Sequence, residues 1–276
     1  MSLAQITSLR RSLFEWANNA GNQKFLGVDQ EAQLRRVLND PDRRAQAHVA
    51  AWMLGTWHLG NGMLRVLDGE HEGFDQLREG QTLRRSALLA RANAPQANRG
   101  GARRGSKARL PFSLLHGAWT ALLGLSLHDP GCEPLYDYLL GLPDIVFTEY
   151  DELPFFTREL LALRAGRRAS ITSRLGPFED VLIQWHGDER LLQRALTDLL
   201  DVHVKQARGS GAIYDDPACR LYPLEVIAVQ HVREWLELPV PKVDHPLMHH
   251  NLGKMRPRTP WPQSELGLRV ERLARA

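Results

Sequence analysis

Eleven histidines are the groups best suited to chemistry in this chain. A zinc enzyme commonly carries two histidines one helical turn apart around a glutamate, and a structural zinc site pairs cysteines at short spacing. Neither HExxH nor CxxC occurs. The nearest approach is DHPLMHH, where His245 and His249 stand four apart beside Asp244, with His250 next. Pro246 interrupts the helical spacing that would bring both rings to one side, so the segment reads as adventitious affinity and no metal site is expected. Asp68, Glu70, His71 and Glu72 in LDGEHEG read as a solvated turn entering a helix. His203 and His231 fall on apolar helix faces, where a hydrogen-bonded core histidine is the ordinary occupant. In an open pocket with Asp201, Asp215 or Asp216 they would instead be a general acid–base pair. There is no GxSxG, and neither Cys132 nor Cys219 sits in a nucleophile motif. No catalytic residue and no cofactor are expected.

The text GGARRGSK resembles a phosphate loop, but a Walker loop needs Gly-Lys-Ser/Thr after a strand. Here the order is Gly105-Ser106-Lys107 with no strand before it. Residues 93–109 hold three glycines and five cations, Arg99, Arg103, Arg104, Lys107 and Arg109, and almost no large apolar residue. They read as a solvated basic loop. Clustered cations attract nucleic acid non-specifically, but this loop has no aromatic residue to stack on bases, so no nucleic-acid role is expected.

Charge is most unevenly spread over residues 129–159. Asp129, Glu133, Asp137, Asp144, Glu149, Asp151, Glu152 and Glu159 face a single cation, Arg158, a local charge of −7 in a chain of +3. Tyr136, Tyr138, Phe147, Tyr150, Phe155 and Phe156 alternate with these acids. One reading is solvated acids at helix N-termini. The other is a docking surface, an acidic rim around aromatic anchors that steers a basic partner. The candidate contacts are Asp144, Glu149, Tyr150, Asp151, Glu152 and Phe155, with the acidic pair Asp215 and Asp216.

The scaffold that carries these residues is helical. Leu occurs 45 times and Ala 27 times against 20 Val and Ile, a balance that favours helix over strand. Arg outnumbers Lys thirty to five. Ile6, Leu9, Leu13, Trp16 and Ala20 form one stripe. Leu115, Trp119 and Leu122 share a face, as do Leu192, Ala195, Leu196, Leu199 and His203. Leu224, Ile227, Ala228, His231 and Trp235 share another. Asp40-Pro41 reads as an N-cap with a first-turn proline, and Asp188 as the cap of a later helix. Gly55, Gly60 and Gly62 either permit close packing or mark a break near Asn61. The 181–185 run, VLIQW, reads as helix. Pro154, Pro177 and Pro223 suit first turns, and a short helix closes the chain near 264–275.

These elements predict an all-α fold, a multi-helix bundle or repeat-like array. One domain is expected over 1–276: a helical region over 1–92, the basic loop 93–109, a second helical region over 110–241 and an irregular tail 242–276. Two uncharged stretches, 45–64 and 110–128, approach membrane-span length. Their Gln, His, Thr, Ser and Asn residues are costly in lipid, so buried central helices fit better and no membrane role is expected. Two isolated cysteines and no signal-peptide pattern at the N-terminus predict a reduced, cytoplasmic protein.

The helix AHVAAWMLGTWHLGNGMLRVLDGEHEGFDQLREG and the run LTDLLDVHVKQAR followed by DDPACRLYPLEVIAVQHVREWLELPVPKVDHPLMHHNL carry a family likeness. They resemble helical immunity proteins of bacterial polymorphic toxin systems, of the contact-dependent or type VI secretion kind, over about 45–90 and 190–252. The resemblance implies a non-catalytic protein that binds a cognate toxin domain and neutralises it without a cofactor. It assigns no individual residue. Two other functions compete: a helical adaptor or regulatory scaffold, and a helical enzyme built on His203, His231 and Asp215. A deep polar pocket would favour the enzyme, and a flat or grooved acidic surface the binders.

Overall fold

A computed structural model describes residues 3–40, 42–93, 112–148, 150–207, 214, 216–217, 219–254, 261 and 264–275. Among these residues every regular element is helical and none is a strand. The chain opens with α1 (Leu3–Asn18), the one-turn α2 (Ala20–Asn22), a π-helical segment (Gln23–Asp29) and α3 (Gln30–Asn39). Ile6, Leu9 and Leu13 of α1 are buried as their spacing predicts, but Ala17 takes the place expected of Ala20. The cause is local: Asn19 interrupts the helix and caps α2 by accepting from Asn22 N–H.

Two long helices follow, α4 (Ala47–Leu67) and α5 (Glu72–Asn93). Asp40 closes α3 instead of opening α4, and its carboxylate accepts from Asp42 N–H. A 3-10 turn at Arg44–Gln46 intervenes before α4, so the proline-led start expected at 40–41 does not form; Pro41 itself lies outside the described residues. α4 runs unbroken past Asn61. Its glycines serve close packing: Gly55 and Gly62 of α4 meet Gly80 and Gly73 of α5 backbone to backbone. The basic loop expected at 93–109 falls, beyond Asn93, outside the described residues.

The remaining helices are α6 (Leu114–Leu127), α7 (Glu133–Leu140), α8 (Glu152–Arg164), α9 (Glu179–Ile183), α10 (Glu189–Gln206), α11 (Leu224–Trp235) and α12 (Glu265–Arg275). Asp188 caps α10 through Arg190 and Leu191 N–H. Pro154 sits in the first turn of α8, Pro223 caps α11, and Pro177 lies in the 3-10 segment leading to α9. α6 is buried on nearly every side, which explains its uncharged sequence without a membrane. No helix among the described residues is long and apolar enough to cross one.

The larger hydrophobic core draws from α1, α4 and α5, before residues 94–111 in the chain, and from α6–α11 after them. A smaller core joins Leu34, Val37 and Leu38 to α4, α5 and Leu266 and Val270 of α12. α5 lies between them and is not a plain apolar rod. It buries Arg78, Gln81, Arg84 and Arg85. Buried charges persist only when partnered. Arg84 pairs with Asp216 at 2.9 Å and stacks over Trp52 at 3.9 Å. Arg85 holds Asp129 at 2.9 Å and Glu271 of α12 at 2.8 Å, and donates to the Gly131 carbonyl. Gln81 donates to the Thr120 carbonyl and reaches the Cys132 sulfur.

Candidate functional site

The acidic segment is built by the end of α6, by α7, and by the loop into α8. His128 ends α6 in a left-handed conformation, φ 55°. Asp129 then caps a 3-10 turn at Pro130–Cys132 by accepting from Gly131 N–H. Among the described residues four of these acids meet arginines: Asp129 with Arg85, Glu133 with Arg164, and both Asp144 and Glu159 with Arg158. Arg85 and Arg164 lie outside the 129–159 window, so the sequence map overstates the charge this region presents. Glu159 is buried and also accepts from Ser170 N–H.

The candidate contacts divide by burial. Tyr150 and its neighbour in the loop, Ile145, are each 82% exposed. The Asp144 carboxylate is paired with Arg158 yet keeps 75% of its side chain exposed. Asp151 is half-buried and accepts from Thr148 N–H and Oγ1 at 2.8 Å, which holds the turn before α8. Glu152 is half-buried against the backbone of Gly176, and burial pushes its carboxyl above the usual range. Phe155 is only 2% exposed, packs under Arg158 with Phe147 and belongs to the core. Asp216 is likewise withdrawn into its pairing with Arg84. Phe155 and Asp216 are expected from the sequence at a contact surface, and in this structure both side chains are buried. Helical and loop spacing marks a residue as aromatic or acidic, but the packing of α8 on its neighbours decides which way it faces. Glu149 and Asp215 lie outside the described residues.

His203 is fully buried. Its Nδ1 lies 2.7 Å from Glu225, its Nε2 3.2 Å from the Arg220 carbonyl, and its ring stacks on Tyr214 at 3.9 Å. Burial first, then the Glu225 charge, pushes the Tyr214 phenol well up. This is a closed polar cluster inside the core, with no opening for a substrate among its described members. In the tail, His249 pairs with Asp244 at 2.8 Å on the surface, while His245 turns inward toward Asp201 at 3.5 Å. No group of three or more metal-ligating side chains forms among the described residues.

His231 is different. It lines a pocket of about 400 Å³ with Leu125, His128, Asp129, Glu133, Tyr136, Arg164 and Trp235. Its Nε2 lies 3.3 Å from Nε2 of His128, with ring centroids 3.9 Å apart. Burial, with His231 adding to it, pushes the His128 imidazole down to about 4. Arg164 spans the pocket edge, paired with Glu133 and stacked against Tyr136 and Trp235. Trp235 closes this edge at 67% exposure, so it does not share the buried face of Leu224, Ile227 and Ala228. Sequence reading missed His128 altogether. The local signal was slight, a histidine placed directly after an apolar helix and before Asp-Pro.

The fold and these sites define an all-α protein with charged groups buried in a hydrophobic core, an exposed loop and a histidine-lined pocket. Comparison with family models, with curated proteins and with solved structures finds no match to this chain.

Proposed function

We propose that this protein is a non-catalytic binder that neutralises a cognate toxin domain by direct contact, as an immunity protein does. The observation that carries this reading is the loop between α7 and α8. Ile145 and Tyr150 stand 82% exposed there, flanked by Asp144 and Asp151. Exposed large apolar side chains beside acids are what a partner surface offers as anchor and rim. Because arginines pair with Asp129, Glu133, Asp144 and Glu159, the two apolar side chains are the main anchors and the carboxylates supply orientation.

The test is a survival assay in a bacterium expressing the product of the adjacent gene. The wild-type chain is expected to rescue growth and to co-purify with that product. Tyr150→Ala with Ile145→Ser is expected to lose both while keeping the wild-type melting temperature. Absence of a complex, or full protection by the double variant, would overturn the reading.

One observation favours a second reading, a helical enzyme: the pocket with two facing imidazoles. Its residues differ from those expected from sequence, since only His231 of the expected set lines it. An enzyme of this kind would lose activity, and not protection, when His231 is replaced.

A further inference from the structure

We propose that the cleft between the C-terminal ends of α8 and α11 binds a small amphiphilic anion, a carboxylate on an apolar chain of the medium-chain fatty acid kind, with Arg167 and Arg168 holding the head. The inference is independent of toxin binding: the cleft lies at the C-terminal end of α8, whereas Tyr150 precedes its N-terminus. The cleft holds about 620 Å³, within the roughly 300–1,000 Å³ that small-molecule sites span. Leu163 of α8, Leu182 of α9, Trp185, and Leu236 and Leu238 after α11 give it apolar walls, and Ile171 stands 47% exposed beside them. Its polar side chains are Arg167, Arg168 and His186, and no carboxylate lines it among the described residues.

Two helix ends of one kind build this shape. α8 closes at Gly166, φ 72°, where Gly166 N–H donates to the Leu163 carbonyl and Arg167 N–H to that of Ala162. α11 closes at Glu237, φ 56°, where Glu237 N–H donates to the Glu234 carbonyl and Leu238 N–H to that of Arg233. A glutamate adopts this left-handed conformation at a cost. The residue after such a turn is commonly apolar and packs back on its own helix. Leu238 fits that habit, but α8 places the exposed Arg167 there, followed by the exposed Arg168. Neither guanidinium makes an ion pair among the described residues. Against Trp185 lies a third cation. Arg233 is 5% exposed, stacks over the Trp185 ring at 5.2 Å and donates to the carbonyls of Pro239 and Trp185, with Glu189 beyond ion-pair distance. A buried charge without a counter-ion is costly. Glu234 and Glu237 are exposed and do not line the cleft. A helix C-terminus carries about half a negative charge, so the two ends offset about one of the three guanidiniums and the cleft stays positive. An anionic head meets that charge, the arginine forks match the two oxygens of a carboxylate, and the apolar walls receive the chain.

Calorimetry with decanoate on the full chain tests the site, beside decanol, which lacks the charge, and acetate, which lacks the chain. One saturable equivalent of decanoate is expected, with decanol and acetate each weaker by about tenfold or more, the worth of a charge-assisted hydrogen bond or of a few buried methylenes. Arg167→Gln with Arg168→Gln should weaken decanoate by about tenfold or more, and so should Ile171→Asp, which adds a carboxylate to the lining. Arg190→Gln with Arg194→Gln, which removes two exposed cations of α10, should leave binding unchanged. All five substituted side chains are exposed, and melting curves check that each variant keeps the wild-type fold. No binding by the wild type, decanol or acetate bound as tightly as decanoate, binding that survives the paired loss of Arg167 and Arg168, or an equal loss in the α10 variant would each overturn the proposal.

Discussion

Gly55 of α4 and Gly80 of α5 face one another with no room for a side chain between them. A Cβ on Gly55 would lie 2.9 Å from the Gly80 carbonyl oxygen, and one on Gly80 would lie 2.8 Å from that of Gly55. Two turns away on each helix, Gly62 and Gly73 repeat the reciprocal contact at 2.8 and 2.7 Å. Antiparallel helices with two such steps pack by their backbones, and this brings α5 deep enough for its arginines to be buried. In a solvated helix, Gly→Ala stabilises by about 1 kcal/mol. Gly80→Ala here should reverse that sign and destabilise by about 1–3 kcal/mol through overpacking. Urea denaturation reads the difference, and a variant as stable as wild type would show that the helices separate without loss.

Arg85 is the hub of the buried charges. Replacing it with Met removes the cation beside the buried Asp129, while Glu271 keeps Arg275 at 3.0 Å, and should cost about 3–5 kcal/mol. Adding Asp129→Asn and Glu271→Gln removes the two carboxylates that Arg85 had served and should recover some of that loss. A triple variant no more stable than the single one would mean that packing, not charge, makes Arg85 necessary.

Tyr150 and Phe155 should separate binding from folding. Tyr150→Ala should leave the unfolding midpoint unchanged and weaken partner capture. Phe155→Ala should cost about 3–5 kcal/mol of stability, since it empties a core position. Denaturation of both variants, run beside the capture assay, checks the division. A large stability loss in Tyr150→Ala would place that side chain in the fold.

Both thiols should be silent in the native protein. Cys132 and Cys219 are almost fully buried, and burial first, then nearby aspartates, pushes each well above the ordinary thiol value. A thiolate is the reactive form. A disulfide reagent in mildly alkaline buffer should titrate neither in the native protein and both in denaturant. Rapid reaction of one thiol in the folded state would contradict the packing around α6 and α7.

Acid should weaken the fold before the carboxylates titrate. His58 and His116 are lowered from 6.5 by burial, His116 also by Arg84, and His128 falls to about 4. A lowered histidine binds its proton more readily in the unfolded chain. The stability it supports is therefore intact above about pH 6.5 and declines as pH falls toward the folded-state value. Glu271 continues the trend at lower pH, because Arg85 overcomes its burial and lowers its carboxyl, while Glu152 acts in the opposite direction. Urea midpoints measured at about pH 7.5, 6 and 5 with chelator present should fall steadily, and a flat profile would refute the sign.

The class of structure and many of its elements are legible in the chain read locally. Leucine- and alanine-rich periodicity is a local property, so α10, with its Asp188 cap and its buried Leu192, Leu196, Leu199 and His203, could be read from spacing alone. The same holds for most of the apolar stripe of α1. What stayed open is whatever depends on residues far apart in the chain. The charge of 129–159 looked unbalanced until Arg85 and Arg164 were brought beside Asp129 and Glu133. Phe155 and Tyr150 looked alike until α8 turned one inward and left the other out. His128 and His231 meet across 103 residues because α6 and α11 pack together at Leu125. Helical period says which side chains share a face. Only the docking of one helix on another says what that face meets, because burial and pairing energies belong to the contact and to neither sequence segment alone.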